Sequence, residues 1–281
     1  MKRTSFWVLM GAMVVLLTAS QCSGVEKMKS LLGMASQETV HIVCGDSVQR
    51  GDDQVMVKYD CVLPCGGKKE VMDSVLMWVL PQIGDTTMVA DFLLDIEDMD
   101  SVKLEVFFNN MVTKQMREYR AGMEADENPD YGYSIEIIQS VKVTYEDDKC
   151  ITYTIESYMY LGGAHGMQNI VGATFSKEDG HRLDYKELLP DMSKKQIREE
   201  VVEGLMEYFE CDTEMKLKES LFLDIDSDFD KLAPATDIIP LPVTKPWRET
   251  DGVHLQYQEY EICCYADGLP AVVIKPAPQQ K

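Results

Sequence analysis

Four histidines and eight cysteines are the residues of this chain best suited to nucleophilic, acid–base or metal chemistry. Their spacing assigns them little of it. His165 stands in Gly162-Gly163-Ala164-His165-Gly166, where three glycines free the backbone to enter φ > 0 and to approach a neighbour closely. A histidine there is presented rather than packed between large side chains. It could act as a general base, yet no nucleophile or orienting carboxylate is tied to it by spacing, and Gly-x-Ser-x-Gly, His-Glu-x-x-His and a phosphate loop do not occur. A turn residue or a ligand contact is the better reading. His41, Cys44, Cys61 and Cys65 lack the spacing of a zinc knuckle. Asp224, Asp226, Asp228 and Asp230 open like a calcium loop, but Phe229 and Ala235 stand where its glycine and glutamate belong. No metal and no cofactor are expected. Tyrosine offers more. Tyr158, Tyr160, Tyr257, Tyr260 and Tyr265 lie on expected strands beside two glycine turns, and alternate tyrosines on a strand share a face as rigid amphipathic contact area. The candidate ligand-binding set is Tyr158, Tyr160, Gly162, Gly163, His165, Gly166, Tyr257 and Tyr260. Its plain alternative is half-buried sheet tyrosines with hydroxyls at the rim.

The elements that must position this set follow from periodicity. Thr39–Cys44 and Val55–Val62 read as strands around a turn, and Val71, Val75, Leu76 and Val79 mark a helix over Glu70–Leu80 that Pro81 should end. A second helical stripe, Val102, Val106, Phe107 and Met111, runs within Ala90–Arg120. Tyr131–Tyr145 and Cys150–Tyr160 alternate apolar and polar residues, as a hairpin with one buried face does. Ser193 with Gln196 forms a capping box for a helix to about Glu210. Ser227–Trp247 is proline-spaced and irregular, and the chain closes on strands Val253–Tyr265 and Ala271–Lys275. The order implies an α+β fold of two packed subdomains, each a mainly antiparallel sheet with one or two helices. The acidic run Glu124–Asp130 marks the expected boundary, giving subdomains 39–125 and 131–276.

Lys2 and Arg3 precede the apolar run Phe6–Leu17 and the small residues Thr18-Ala19-Ser20, the order of a secretory signal over residues 1–21. Cys22 follows at once, as in bacterial lipoproteins, where that cysteine is lipidated; residues 22–38 would then be a polar tether. Gln21 stands where the lipoprotein pattern has a small residue, so cleavage after Ser20 is the alternative. Export permits disulfides, and Cys44 with Cys61 or Cys65 is the candidate bridge, since they flank one expected strand pair. Cys263 and Cys264 would point to opposite faces of a strand. The net charge of −21 becomes −23 once the two basic leader residues are removed. Such a surface repels nucleic acid and anionic lipid, attracts cationic partners and keeps the protein soluble.

Tyr160-Leu161-Gly162-Gly163-Ala164-His165-Gly166, Thr174-Phe175, Asp179-Gly180 and Leu183–Leu189 resemble the extracytoplasmic domain of the lysozyme-sensing anti-sigma factor RsiV and related exported bacterial proteins. Gly252–Tyr257, Tyr260-Glu261-Ile262 and Tyr265–Gly268 extend the resemblance, which covers Tyr158 to Pro276. Glu259 replaces a proline usual in that family. Residues 39–125 resemble the companion domain found beside it and in PdaC-type peptidoglycan deacetylases. Only Met1–Ser5 precede the apolar run, and no residues remain for a metal-dependent deacetylase domain, so neither activity is expected. The resemblance implies a non-catalytic envelope lipoprotein that binds or senses a cationic lysozyme-like protein or cell-wall glycan. It would meet the membrane only through its lipid anchor. A peptidoglycan hydrolase using His165 and a structural lipoprotein without specific ligand are the alternatives.

Overall fold

The computed structural model describes residues 37–94, 99–125, 133–222 and 233–275. Cys22, the leader, most of the tether and the acidic run 224–230 lie outside the described residues. Five strands, β1 (Thr39–Arg50), β2 (Asp53–Pro64), β3 (Ser134–Glu146), β4 (Cys150–Tyr160) and β5 (Met167–Ser176), form one sheet in chain order. Alternation decides which face is buried. Val55, Val57, Tyr59, Cys61 and Leu63 of β2 point into the core with Ile135, Ile137 and Val141 of β3, and Lys58 points away. Three helices close that face: α1 (Lys69–Ile83), α2 (Thr86–Leu93) and α3 (Ser101–Ala125). The α1 and α3 stripes, Val71, Val75, Val79 and Leu104, Phe108, Met111, are buried in the same core. Tyr59 and Phe108 meet edge to face at 5.5 Å. Because the helices cross between β2 and β3, those two strands pair parallel, and every other pair in the sheet is antiparallel.

The architecture is α+β, with a second, smaller sheet. Here α4 (Tyr185–Leu188), α5 (Lys194–Tyr208), α6 (Glu214–Ser220) and α7 (Ala235–Ile238) accompany strands β6 (Trp247–Arg248), β7 (Val253–Gln256) and β8 (Ala271–Ile274), paired antiparallel in that order. Ser193 and Gln196 cap α5 reciprocally, as their spacing implies. Ile197, Val201 and Leu205 of α5 enter a core of their own with Leu255, Val272 and Ile274. A side chain at Gly204 would come within 2.6 Å of Val272, so the helix lies close upon the sheet.

Several expectations are displaced. The acidic stretch before β3 does not separate one sheet from another, because β3 pairs with β2 from Ser134 opposite Gln54 onward. The second core instead gathers residues from Leu188 on. Pro81 lies inside α1, in its last turn, and the helix continues to Ile83. The strand expected over Val253–Tyr265 ends at Gln256, so Cys263 and Cys264 do not lie on a strand. The seven described cysteines are free. Cys44 pairs with Tyr59 and Cys61 with Ile42, which sets the two thiols diagonally on the buried face. Diagonal neighbours in an antiparallel pair lie ~7–8 Å apart, beyond the span of a disulfide. Burial raises Cys44 to about 11 and Cys61 further still. Cys65, past the end of β2, is partly exposed.

Candidate functional site

The β4–β5 connection is built as its composition implies. Gly162 and Gly163 adopt φ of +86° and +111°, a region closed to most side chains. The Tyr160 hydroxyl donates to Gly163 O at 2.9 Å and ties the turn to the strand that precedes it. Gly166 is required for a different reason. A Cβ there would stand 2.5 Å from the ring of Tyr158, which lies directly on the glycine backbone. Tyr158 and Tyr160 alternate along β4, so both face the loop.

His165 is exposed at the tip, and the segment following β7 reaches it. Its ring stacks on Tyr265 with centroids 3.8 Å apart and planes 21° from parallel. Nδ1 lies 2.9 Å from Gly166 O, and Nε2 lies 3.0 Å from the Tyr260 hydroxyl. A carbonyl only accepts, so the proton sits on Nδ1 and Tyr260 donates to Nε2. Both nitrogens of a neutral imidazole are thereby engaged. Tyr260 reaches this place from a left-handed backbone, φ 62°. The hydroxyl of Tyr158 titrates above its ordinary range, through desolvation first and then through Glu136, Tyr265 and Tyr160. Tyr260 and Tyr265 are 52% and 37% exposed, and Leu161 and Met167, flanking the loop, are 53% and 59% exposed. The result is an apolar and aromatic face at one end of the five-stranded sheet.

Neighbouring residues clamp the two segments together. The amide side chain of Gln258 exchanges hydrogen bonds with the backbone of Ile170, donating at 2.8 Å to its carbonyl and accepting at 3.1 Å from its N–H. It thus supplies the partner that the edge of β5 lacks at that residue. Glu259 accepts from Gln168 N at 2.7 Å. These contacts set the height of Tyr260 over His165.

Of the eight expected site residues, Tyr158, Tyr160, Gly162, Gly163, His165, Gly166 and Tyr260 come together. Tyr257 does not. It is 0% exposed in the second core, where its hydroxyl donates to Pro240 O at 2.7 Å and burial drives its titration far up. The strand ends just before it, so the alternation that was to carry Tyr257 to the surface does not continue. Tyr265 completes the face in its place, and Gln258 and Glu259 support it. Tyr265 stands among the tyrosines expected on strands, but it opens the short turn Tyr265–Asp267 that Gly268 ends.

A second histidine is tied into an ionic group. His181 sets one ring nitrogen 2.6 Å from Asp179 and the other 2.6 Å from Glu187, and Glu187 also closes the capping box of α4. Two carboxylates on two ring nitrogens favour the imidazolium. Asp179 is held near pKa 2, chiefly by its hydrogen bond from His181.

The model of the family described as deacetylase PdaC matches residues 92–168, from the end of α2 through α3, β3, β4 and the glycine loop. No curated protein matches the chain. Among solved structures, a DUF3298 family member from Bacteroides fragilis NCTC 9343 superposes with a TM-score of 0.58 at 15% identity, covering 85% of this chain and 90% of its own. A DUF3298 family protein from Pseudomonas aeruginosa PAO1 gives a TM-score of 0.51 at 14% identity, covering 86% and 92%. The chain therefore carries a PdaC-type segment within a fold that DUF3298 structures share.

Proposed function

We propose that this chain is a non-catalytic, lipid-anchored binding module of the bacterial cell envelope, of the RsiV-like kind, that captures a cationic muramidase-like protein. The observation that carries this reading is the His165–Tyr265 stack at 3.8 Å, set among exposed Leu161, Met167 and Tyr260. Rigid aromatic and apolar groups at the end of a sheet supply contact area with little side-chain entropy to lose. The charge of −23 left after removal of the leader would draw a basic partner to the chain. The PdaC-type segment and the DUF3298 fold fit a place in the envelope, and Cys22 would anchor the chain there. A hydrolase reading has less support, because among the described residues the ring nitrogens of His165 meet Gly166 O and the Tyr260 hydroxyl rather than an orienting carboxylate.

The test is calorimetric titration of the chain from residue 23 with a basic lysozyme and, separately, with soluble peptidoglycan fragments. Tight, salt-sensitive binding of lysozyme that Tyr265→Ala and His165→Ala weaken at least tenfold is the expected result. Binding of fragments alone would move the ligand class to glycan. Release of soluble sugar from cell walls, lost in His165→Ala, would replace the reading by a hydrolase.

A further inference from the structure

The β6–β7 hairpin carries a cluster that the aromatic face does not use. Glu249, Asp251 and His254 each place one ligand atom within 4.8 Å of the others. The hairpin loop is closed by Glu249 N donating to Gly252 O at 2.8 Å. Trp247, outside the cluster, orients two of its three members. Its indole Nε1 donates to Glu249 Oε1 at 2.8 Å, and its ring lies over the imidazole of His254 at 5.8 Å and 29°. Trp247 is itself fixed, 2% exposed and pressed upon Gly172. Imidazole and carboxylate ligands of metal ions characteristically receive such outer support, which fixes ring and carboxylate before the ion arrives. His254 Nε2 stands 2.7 Å from Asp251 Oδ1, with a proton between them that an ion would displace.

From this arrangement we propose that Glu249, Asp251 and His254 form a divalent-cation site. One imidazole and two carboxylates suit a borderline ion of the zinc class, and the exposure of Asp251 lets water complete the coordination. The site is independent of the tyrosine–histidine face, so either can fail alone.

The probe is Zn²⁺, titrated calorimetrically into the full chain after alkylation of exposed thiols, since Cys65, Cys211 and Cys264 are partly accessible and would compete. One ion per chain and a Zn²⁺-dependent rise in Tm are expected. Asp251→Asn, Glu249→Gln and His254→Phe should each weaken binding about tenfold or more. Asp251 has a side chain 60% exposed, Gln at 249 keeps an acceptor for Trp247, and Phe at 254 keeps a ring upon it, so these variants retain the fold. Absence of binding by the folded wild type, or binding that all three variants retain, would overturn the proposal.

Discussion

The indole of Trp247 occupies the space that a side chain at Gly172 would fill, with a Cβ there only 2.2 Å from Cδ2 of the ring. This is where the small sheet docks on the large one, supported by Arg248 N donating to Thr174 Oγ1 at 2.8 Å. Gly172→Ala should therefore cost about 1–3 kcal/mol by overpacking. Trp247→Ala should cost about 3–5 kcal/mol by leaving a cavity. Denaturant titration of both variants checks this, and a loss below about 0.5 kcal/mol for each would show that the two layers do not depend on this joint.

The glycine loop separates backbone demand from contact demand. At Gly162 and Gly163 an added Cβ meets nothing within 4 Å, so alanine costs only the left-handed backbone, on the order of 1 kcal/mol. At Gly166 the new Cβ would strike the Tyr158 ring. Gly166→Ala should thus displace a residue of the aromatic face and weaken lysozyme binding at least as much as it lowers Tm. Equal binding by the folded Gly166→Ala protein would remove Tyr158 from the face.

Tyr257 and Tyr260 make a paired test of core against surface. Tyr257→Phe removes a hydrogen bond to Pro240 O from a fully buried ring and should cost about 0.5–1.5 kcal/mol. Tyr260→Phe, at a half-exposed site, should stay within about 0.5 kcal/mol of the wild type. Binding should respond in the opposite order. Chemical denaturation and one binding isotherm for each variant decide it.

The Asp179–His181–Glu187 group should give the fold a pH dependence that His181→Gln abolishes. Asp179 and Glu187 are lowered in the folded chain, so their contribution is present above the ordinary carboxylate range, ~4, and is lost as pH falls through their lowered values, about 2 for Asp179. His181 is raised, so its contribution is full below the ordinary imidazole value, ~6.5, and fades as pH climbs through the raised value. The window of greatest effect is about pH 4.5–6.5. Urea midpoints for wild type and His181→Gln at pH 5.5 and 8.5 measure it; parallel curves would mean the ion pairs are screened away.

Thiol chemistry should sort by depth. Cys61 is 0% exposed, and desolvation pushes both its thiol and that of Cys44 well up. Neither should react with iodoacetamide in the native state, whereas Cys264 and Cys211 should label first. Mass-spectrometric mapping after short exposure reads the order directly.

Local pattern made some of this architecture legible and left the rest hidden. The β3–β4 hairpin follows from apolar alternation on either side of Glu146-Asp147-Asp148-Lys149, and the α5 cap follows from Ser193 and Gln196. Both are decided by residues a few positions apart. The parallel pairing of β2 with β3 was not legible, because alternation tells which face of a strand is buried and not which strand lies beside it. The aromatic face was legible at Gly162–Gly166 for the same local reason. It was misassigned at Tyr257, because the segment Gln258–Tyr260 leaves the strand to clamp β5, a tertiary contact with no periodicity of its own.

That one parallel pairing also governs how the molecule must assemble. Ser134 cannot find Gln54 until the 79 residues between them, with α1, α2 and α3 among the described ones, have been gathered in. Closing so long a loop before any strand contact rewards it slows folding and leaves the edge of β3 open in the meantime. A fragment cut to residues 92–168 would keep that edge open permanently, with Ile135, Ile137 and Val141 uncovered on the strand that bears it. Such a fragment is expected to aggregate rather than fold.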